Sequence, residues 1–186
     1  MARHALHGSP SCGDVCGWWR LGQYTVLCIL DGLGHGPEAE AAAEAALAVA
    51  RNHDAEDLID LFSQADAALR GTRGVAMGVA VIQGRTGEMR YAAVGNVRAL
   101  LETDGLRYFD GSPGIIGAGF HKPVPETVKL TRGAMWVLFT DGLRSRVDLS
   151  TYGPSQRANV QSLADRILRD WSRGTDDAGV IVYRKT

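Results

Sequence analysis

The sequence predicts a mixed α+β domain built on antiparallel sheets, and three observations carry that prediction. The apolar run 24–30 breaks into Asp31-Gly32-Leu33-Gly34-His35-Gly36, the signature of a buried strand that delivers a carboxylate to its rim and turns into a helix. From residue 75, strand-like runs follow one another through short turns with no helix between them. That is an antiparallel meander; a doubly wound parallel sheet would separate its strands with helices. Apolar residues at helical spacing mark three further segments, 38–51, 58–69 and 160–171.

At 186 residues and 45% hydrophobic content the chain is expected to form one domain, residues 1–186, with an ample core. A net charge of −1 provides no global basic field, which argues against nucleic acid as a partner. No stretch of 18 apolar residues occurs and the first residues lack an apolar signal region, so a soluble, cytoplasmic monomer without membrane contact is expected. Three cysteines do not suggest a disulfide scaffold. The spacing of His4, His7, Cys12 and Cys16 matches no zinc pattern, and the N-terminus reads as a loose segment with ordinary buried thiols.

Taken in order, the first strand pair is joined by Gly22-Gln23. If these form a two-residue hairpin loop, facing residues have numbers that sum to 45, and Asp14 lies opposite Asp31. The glycines after Asp31 permit a sharp turn and close approach to a ligand. Pro37 suits the first position of a helix whose first turn holds Glu38 and Glu40. Ala39, Ala43, Ala46, Leu47 and Ala50 give that helix a small-residue face for close packing on a sheet. Asp54 to Asp57 reads as the cap of a second helix carrying Leu58, Phe62, Ala65 and Leu69.

Hairpins follow across 84–87 and at Asp104-Gly105, with Gly95-Asn96 between them. The glycine-rich segment 110–122, with Ile115, Ile116 and Phe120, reads as a mobile loop bordering a cleft. Strands 124–130 and 134–140 come next, and the second ends in Asp141-Gly142, repeating the design of Asp31-Gly32. A third amphipathic helix precedes a last strand, and here the acids, Asp176-Asp177, stand before the strand. If that strand runs antiparallel to 134–140, Asp14, Asp31, Asp141 and Asp176 converge on one rim.

Such convergence requires compensation. Two carboxylates about 4 Å apart repel by roughly 4 kcal/mol at an effective dielectric near 20. Cations or shared protons must offset a cluster of four. Oxygen-only ligands select hard ions, Mg²⁺ or Mn²⁺, over zinc or copper. A two-metal site with its ions roughly 3.5–4 Å apart is the chemistry that suits this constellation.

Six motifs, in order, carry a resemblance: Ser11-Cys12-Gly13-Asp14, Asp31-Gly32-Leu33-Gly34-His35-Gly36, Arg73-Gly74-Val75-Ala76, Val94-Gly95-Asn96-Val97-Arg98, Thr140-Asp141-Gly142-Leu143 and Asp176-Asp177. The set resembles bacterial metal-dependent serine/threonine phosphatases of the protein phosphatase 2C superfamily, and within it the compact RsbX type, the feedback phosphatase of stressosomes. The resemblance implies a four-layer αββα sandwich of two antiparallel sheets flanked by helices, with a dinuclear Mn²⁺ or Mg²⁺ site. By that analogy Asp31 bridges two ions and the Gly32 carbonyl binds one. Asp141 and Asp176 hold the other, Asp14 supports the ion on the Gly32 side directly or through water, and Asp176 is preferred to Asp177 because the family's aligned acid is the first of the pair. Asp31, Asp141 and Asp176 then carry the catalysis, hydrolysis of phosphoserine or phosphothreonine by a metal-activated water. Partners implied are phosphorylated stressosome or anti-sigma-antagonist-type signalling proteins. Leu33 stands where some members have a histidine as general acid, so that role is unassigned. The alternatives are a non-catalytic phosphoprotein-binding domain of the same fold and a small-molecule phosphatase.

Overall fold

The computed structural model describes residues 1–186. In chain order its elements are β1 (Ala2–His4), β2 (Asp14–Leu21), β3 (Tyr24–Gly32), α1 (Pro37–Asn52), α2 (Leu58–Leu69), β4 (Val75–Gln83), β5 (Glu88–Val94), β6 (Arg98–Glu102), β7 (Leu106–Asp110), β8 (Gly114–Ile115), β9 (Gly119–Phe120), β10 (Glu126–Lys129), β11 (Met135–Phe139), α3 (Pro154–Arg157), α4 (Val160–Trp171) and β12 (Ala178–Arg184). One sheet has the order β1-β12-β11-β6-β7, the other β10-β5-β4-β3-β2, and β8-β9 is a separate small hairpin. All pairings within the two large sheets are antiparallel.

Strand alternation explains the layering. On β3, Val26, Cys28 and Leu30 pack beneath α1 and α2, while Leu27 and Ile29 face the other sheet. An all-apolar run is therefore what a strand buried on both faces requires. On β12, Ile181 enters the space between the sheets and Val180 and Val182 pack under α4 with Leu163, Ala164 and Ile167. Tyr91, Phe109 and Trp136 meet edge to face between the sheets, with ring centroids 4.9–5.9 Å apart. The result is the αββα sandwich expected from the resemblance.

Local chemistry sets the element ends. Gly36 caps α1 with Pro37 inside its first turn. The Asp57 carboxylate accepts from the backbone N–H groups of Ile59 and Asp60 at the start of α2. The hairpin register is the one read from the sequence: Asp14 faces Asp31 and Leu21 faces Tyr24.

Two expectations are corrected. The N-terminus is not loose: Ala2–His4 pairs with Val180 to Ala178 as an edge strand. Segment 110–122 is docked, not free. Ile116 is fully buried, exchanges two backbone hydrogen bonds with Val75, and is followed by Gly117, whose N–H donates to Asp66. Positive φ at Gly114, Gly117 and Gly119 lets the chain fold back on itself, and a Cβ on Gly117 would press into Leu69. The glycines here serve close packing.

Candidate metal centre

Three strand ends deliver three carboxylates to one place. Asp31 lies near the end of β3; Asp141 follows β11 by two residues, and Asp176 precedes β12 by two. Because β11 and β12 are antiparallel with Phe139 facing Val180, the end of one and the start of the other share a rim. Asp31, Asp141 and Asp176 line a cavity of about 200 Å³ together with Asn96, Leu33 and Ile115. The Asn96 amide donates to Asp141 Oδ2 at 2.8 Å, fixing that carboxylate from the loop between β5 and β6.

Asp14 sits behind this cavity and does not line it. It is 2% exposed, and its Oδ2 accepts from Thr140 Oγ1 at 2.5 Å. Thr140 Oγ1 in turn accepts from the Gly179 N–H at 2.9 Å, so one hydroxyl joins β2 to the β11 and β12 ends. The sequence motif contained Thr140, yet nothing local signalled this role.

The acidic pair 176–177 divides its work. Both Asp177 oxygens are spent on backbone donors: Oδ1 accepts from Leu6 N and Oδ2 from Gly13 N, each at 2.6 Å. Asp177 is buried and clamps the N-terminal segment. Asp176 faces the cavity, with Oδ1 accepting from the Asp177 N–H at 2.8 Å. Asp177 thus clamps backbone, and Asp176 is left open to a ligand.

The glycine after each acid has a packing reason. A Cβ at Gly32 would lie 2.1 Å from the Ala39 carbonyl oxygen of α1, and one at Gly142 would lie 1.8 Å from that of Asp177. Neither glycine needs a left-handed backbone; in the first corner only Gly34 and Gly36 do. The repeated Asp-Gly dipeptide therefore marks two places where backbone meets backbone beside an acid. Gly32 is itself buried, between Asp31 and the exposed Leu33.

Electrostatics follows from the crowding. Burial, then the charges of Asp141 and Asp176, pushes the Asp31 carboxyl up to about 7. Burial and the neighbouring Asp31 charge raise Asp14 well above the usual carboxylate range, against the opposing hydrogen bond from Thr140. Asp176 is raised by burial and by Asp141, with the hydrogen bond from the Asp177 N–H pulling the other way. A carboxyl raised on folding contributes stability fully present below its unfolded value, near 3.8, and lost as pH rises through 7. Every tenfold gain in proton affinity on folding is worth about 1.4 kcal/mol. In chelator, the wild type is expected to melt several degrees lower at about pH 8 than at about pH 5, and Asp31→Asn to flatten that difference. An unchanged slope in the variant would contradict the placement of Asp31 among like charges.

The donor set fits hard divalent cations. All the titratable groups lining the cavity are carboxylates, joined by one amide, with no thiol or imidazole among them. As they stand, no three acidic, histidine or cysteine side chains close on a single point. Mutual repulsion between unneutralised carboxylates keeps such groups apart, and a cation removes that repulsion.

The stage II sporulation protein E (SpoIIE) family matches residues 22–185 of the chain. A curated relative, the phosphoserine phosphatase RsbX of Bacillus subtilis, is 25% identical over 138 residues, covering 73% of this chain and 69% of the relative. A solved chain described under the bacterial stressosome, as a modular system adapted to control secondary messenger signalling, superposes with a TM-score of 0.87. It is 29% identical, with 98% of this chain and 96% of that one covered. RsbX in complex with magnesium superposes with a TM-score of 0.81 at 22% identity, covering 100% and 93%, which supports the fold.

Proposed function

This chain belongs to the stage II sporulation protein E (SpoIIE) family, and from that premise we infer that it is a metal-dependent protein serine phosphatase of stressosome-type signalling. Its whole length, residues 1–186, serves as one catalytic domain. The observation that carries this reading is the meeting of Asp31, Asp141 and Asp176, from three strand ends in two sheets, around one cavity.

Asp31, Asp141, Asp176 and the Gly32 carbonyl are the groups that would hold two divalent cations, Mn²⁺ or Mg²⁺, with Asp31 shared between them. When bound, such ions acidify a water and offset the charge of a phosphoryl group. The protein's own part is to hold the donors in place. Asn96 orients Asp141, and Asp14 and Thr140 fix the floor beneath Asp31. The proton that Asp31 retains near neutral pH must leave when the site loads. Leu33, half exposed, and Ile115 form an apolar lip beside the carboxylates, suited to the backbone and side chains flanking a phosphorylated serine or threonine.

The cavity's size favours a protein substrate. Small-molecule sites usually enclose about 300–1,000 Å³, and this cleft encloses only about 200 Å³. A purely binding domain of the same fold would carry the burial and the repulsion that raise Asp31 without using them. The substrates fitting this reading are phosphorylated scaffold or antagonist proteins of a stressosome-like system.

The test is phosphate release from a phosphoserine protein by the purified chain. Release is expected with Mn²⁺ or Mg²⁺ and abolished by chelator, returning when the metal is restored. Turnover that survives complete metal removal would overturn the mechanism.

A further inference from the structure

The two loops that carry Asp141 and Asp176 also carry exposed arginines. Arg144 and Arg146 follow Asp141 closely in the chain, and Arg173 sits on the loop leading to Asp176; all three are exposed. The Arg144 N–H donates to the Trp171 carbonyl and the Arg173 N–H to the Gly142 carbonyl, holding the two loops together at the mouth of the cleft. The Arg173 guanidinium itself reaches the Asp141 carbonyl at 3.4 Å. Arg146 lies over the Tyr108 ring at 5.9 Å, and with Arg98 and Asp110 it lines a concavity of about 270 Å³, while Arg144 borders a separate one beside Tyr152, Asp170 and Trp171.

The charges on this side are mostly uncancelled. Arg98 pairs with Asp110 at 3.2 Å, but Arg144, Arg146 and Arg173 make no ion pair, while the chain's other acids near them are engaged elsewhere. Asp148 caps the turn at Leu149–Thr151, and Asp170 binds Arg169 and the Tyr152 hydroxyl. A chain with 20 basic and 21 acidic residues has no overall excess to explain such a cluster. Guanidinium groups bind carboxylates in a planar, two-bonded geometry that lysine cannot offer.

We propose that this arginine rim docks a stretch of aspartates and glutamates lying beside the phosphoserine of the substrate. The proposal rests on the phosphatase reading above and adds the substrate class: an acidic phosphoprotein segment. Rim charges of this kind act on encounter and on KM more than on the chemical step.

The experiment uses phosphoserine peptides with acidic, neutral or lysine flanks, plus a neutral-flanked peptide bearing a second phosphate. Wild type is compared with the R144E/R146E double variant, and with R144Q/R146Q as a milder pair, in Mn²⁺. The acidic peptide is expected to show a KM about tenfold below that of the neutral one, from two exposed charge pairs. That advantage should vanish in R144E/R146E with kcat unchanged, and shrink in wild type as salt is raised, since screening shortens to a few ångströms. Equal KM for acidic and neutral peptides, or a preference only for the second phosphate, overturns the proposal. Binding of the same peptides without phosphate, followed by fluorescence anisotropy in chelator, needs no catalysis. Should no peptide release phosphate, the phosphatase reading fails, and this binding comparison still decides the rim: acidic over neutral, lost in the double variant, upholds it, and no difference refutes it.

Discussion

Replacing Asp31 with asparagine is expected to lower kcat for phosphoserine hydrolysis by about 10³-fold or more, while the metal-free protein becomes no less stable. The first effect follows from the position of Asp31: it alone among the three cleft carboxylates comes from the β3 sheet, facing the pair on β11 and β12. On the proposed reading a charge that would serve both cations is lost in a single change, and removing even one fixed electrostatic partner of a reaction commonly costs roughly 10²–10³-fold. The second effect follows from burial and crowding, because the carboxyl removed is the one that burial, then the charges of Asp141 and Asp176, push up to about 7. Asp141→Asn and Asp176→Asn should each weaken one ion only, and excess Mn²⁺ should restore part of their activity. Phosphate release and thermal melting in chelator, measured side by side on wild type and variants, check both halves. Activity of Asp31→Asn within about tenfold of wild type would remove it from the centre of the mechanism.

The neighbouring residues 176 and 177 should respond in opposite ways. Asp177→Ala leaves the buried Gly13 N–H and the Leu6 N–H without acceptors. Each unsatisfied donor costs about 1–3 kcal/mol, so a loss of about 3 kcal/mol is expected after allowing for relieved repulsion. For a chain of this length that is a fall in Tm of about 6–12 °C. Asparagine should not rescue it, since its amide would turn one donor against another. Asp176→Ala removes one hydrogen bond and one repelling charge, and should cost under about 1 kcal/mol while crippling turnover. Urea unfolding in chelator separates the two; equal losses would mean that the clamp has been misassigned.

Much of this arrangement was legible in the sequence because its signals are local. The two-residue turn at Gly22-Gln23 fixes the whole register of β2 on β3, and so the pairing of Asp14 with Asp31. The two Asp-Gly strand ends and the acids before the last strand point to a shared rim once β11 and β12 run antiparallel. What could not be read depends on distant partners. The acceptors that pin Leu6 and Gly13 lie 171 and 164 residues away, so no neighbouring pattern marks β1 or the clamp. The segment 110–122 misled because glycine supports both looseness and tight backbone contact; only its partners Val75, Leu69 and Asp66 decide between them. Gly32 and Gly142 were open to the same ambiguity, and their tight neighbours likewise come from elsewhere in the chain.

The place of β12 in its sheet bears on how the chain folds. Among the described strands it comes last in the chain, yet it is inserted between the earliest, β1, and β11. Until residues 178–184 have left the ribosome, the β11 edge stays open and β1 has nothing to pair with. Contacts of such sequence separation close late and slowly, because chain entropy must be spent before they reward it. The carboxylate of residue 176 arrives with that final strand, so a nascent or truncated chain cannot assemble the three-sided cleft. Synthesis at about 5–20 residues per second gives α1, α2 and the β2–β5 sheet several seconds to form first. The three-sided cleft therefore waits on the strand that follows Asp176.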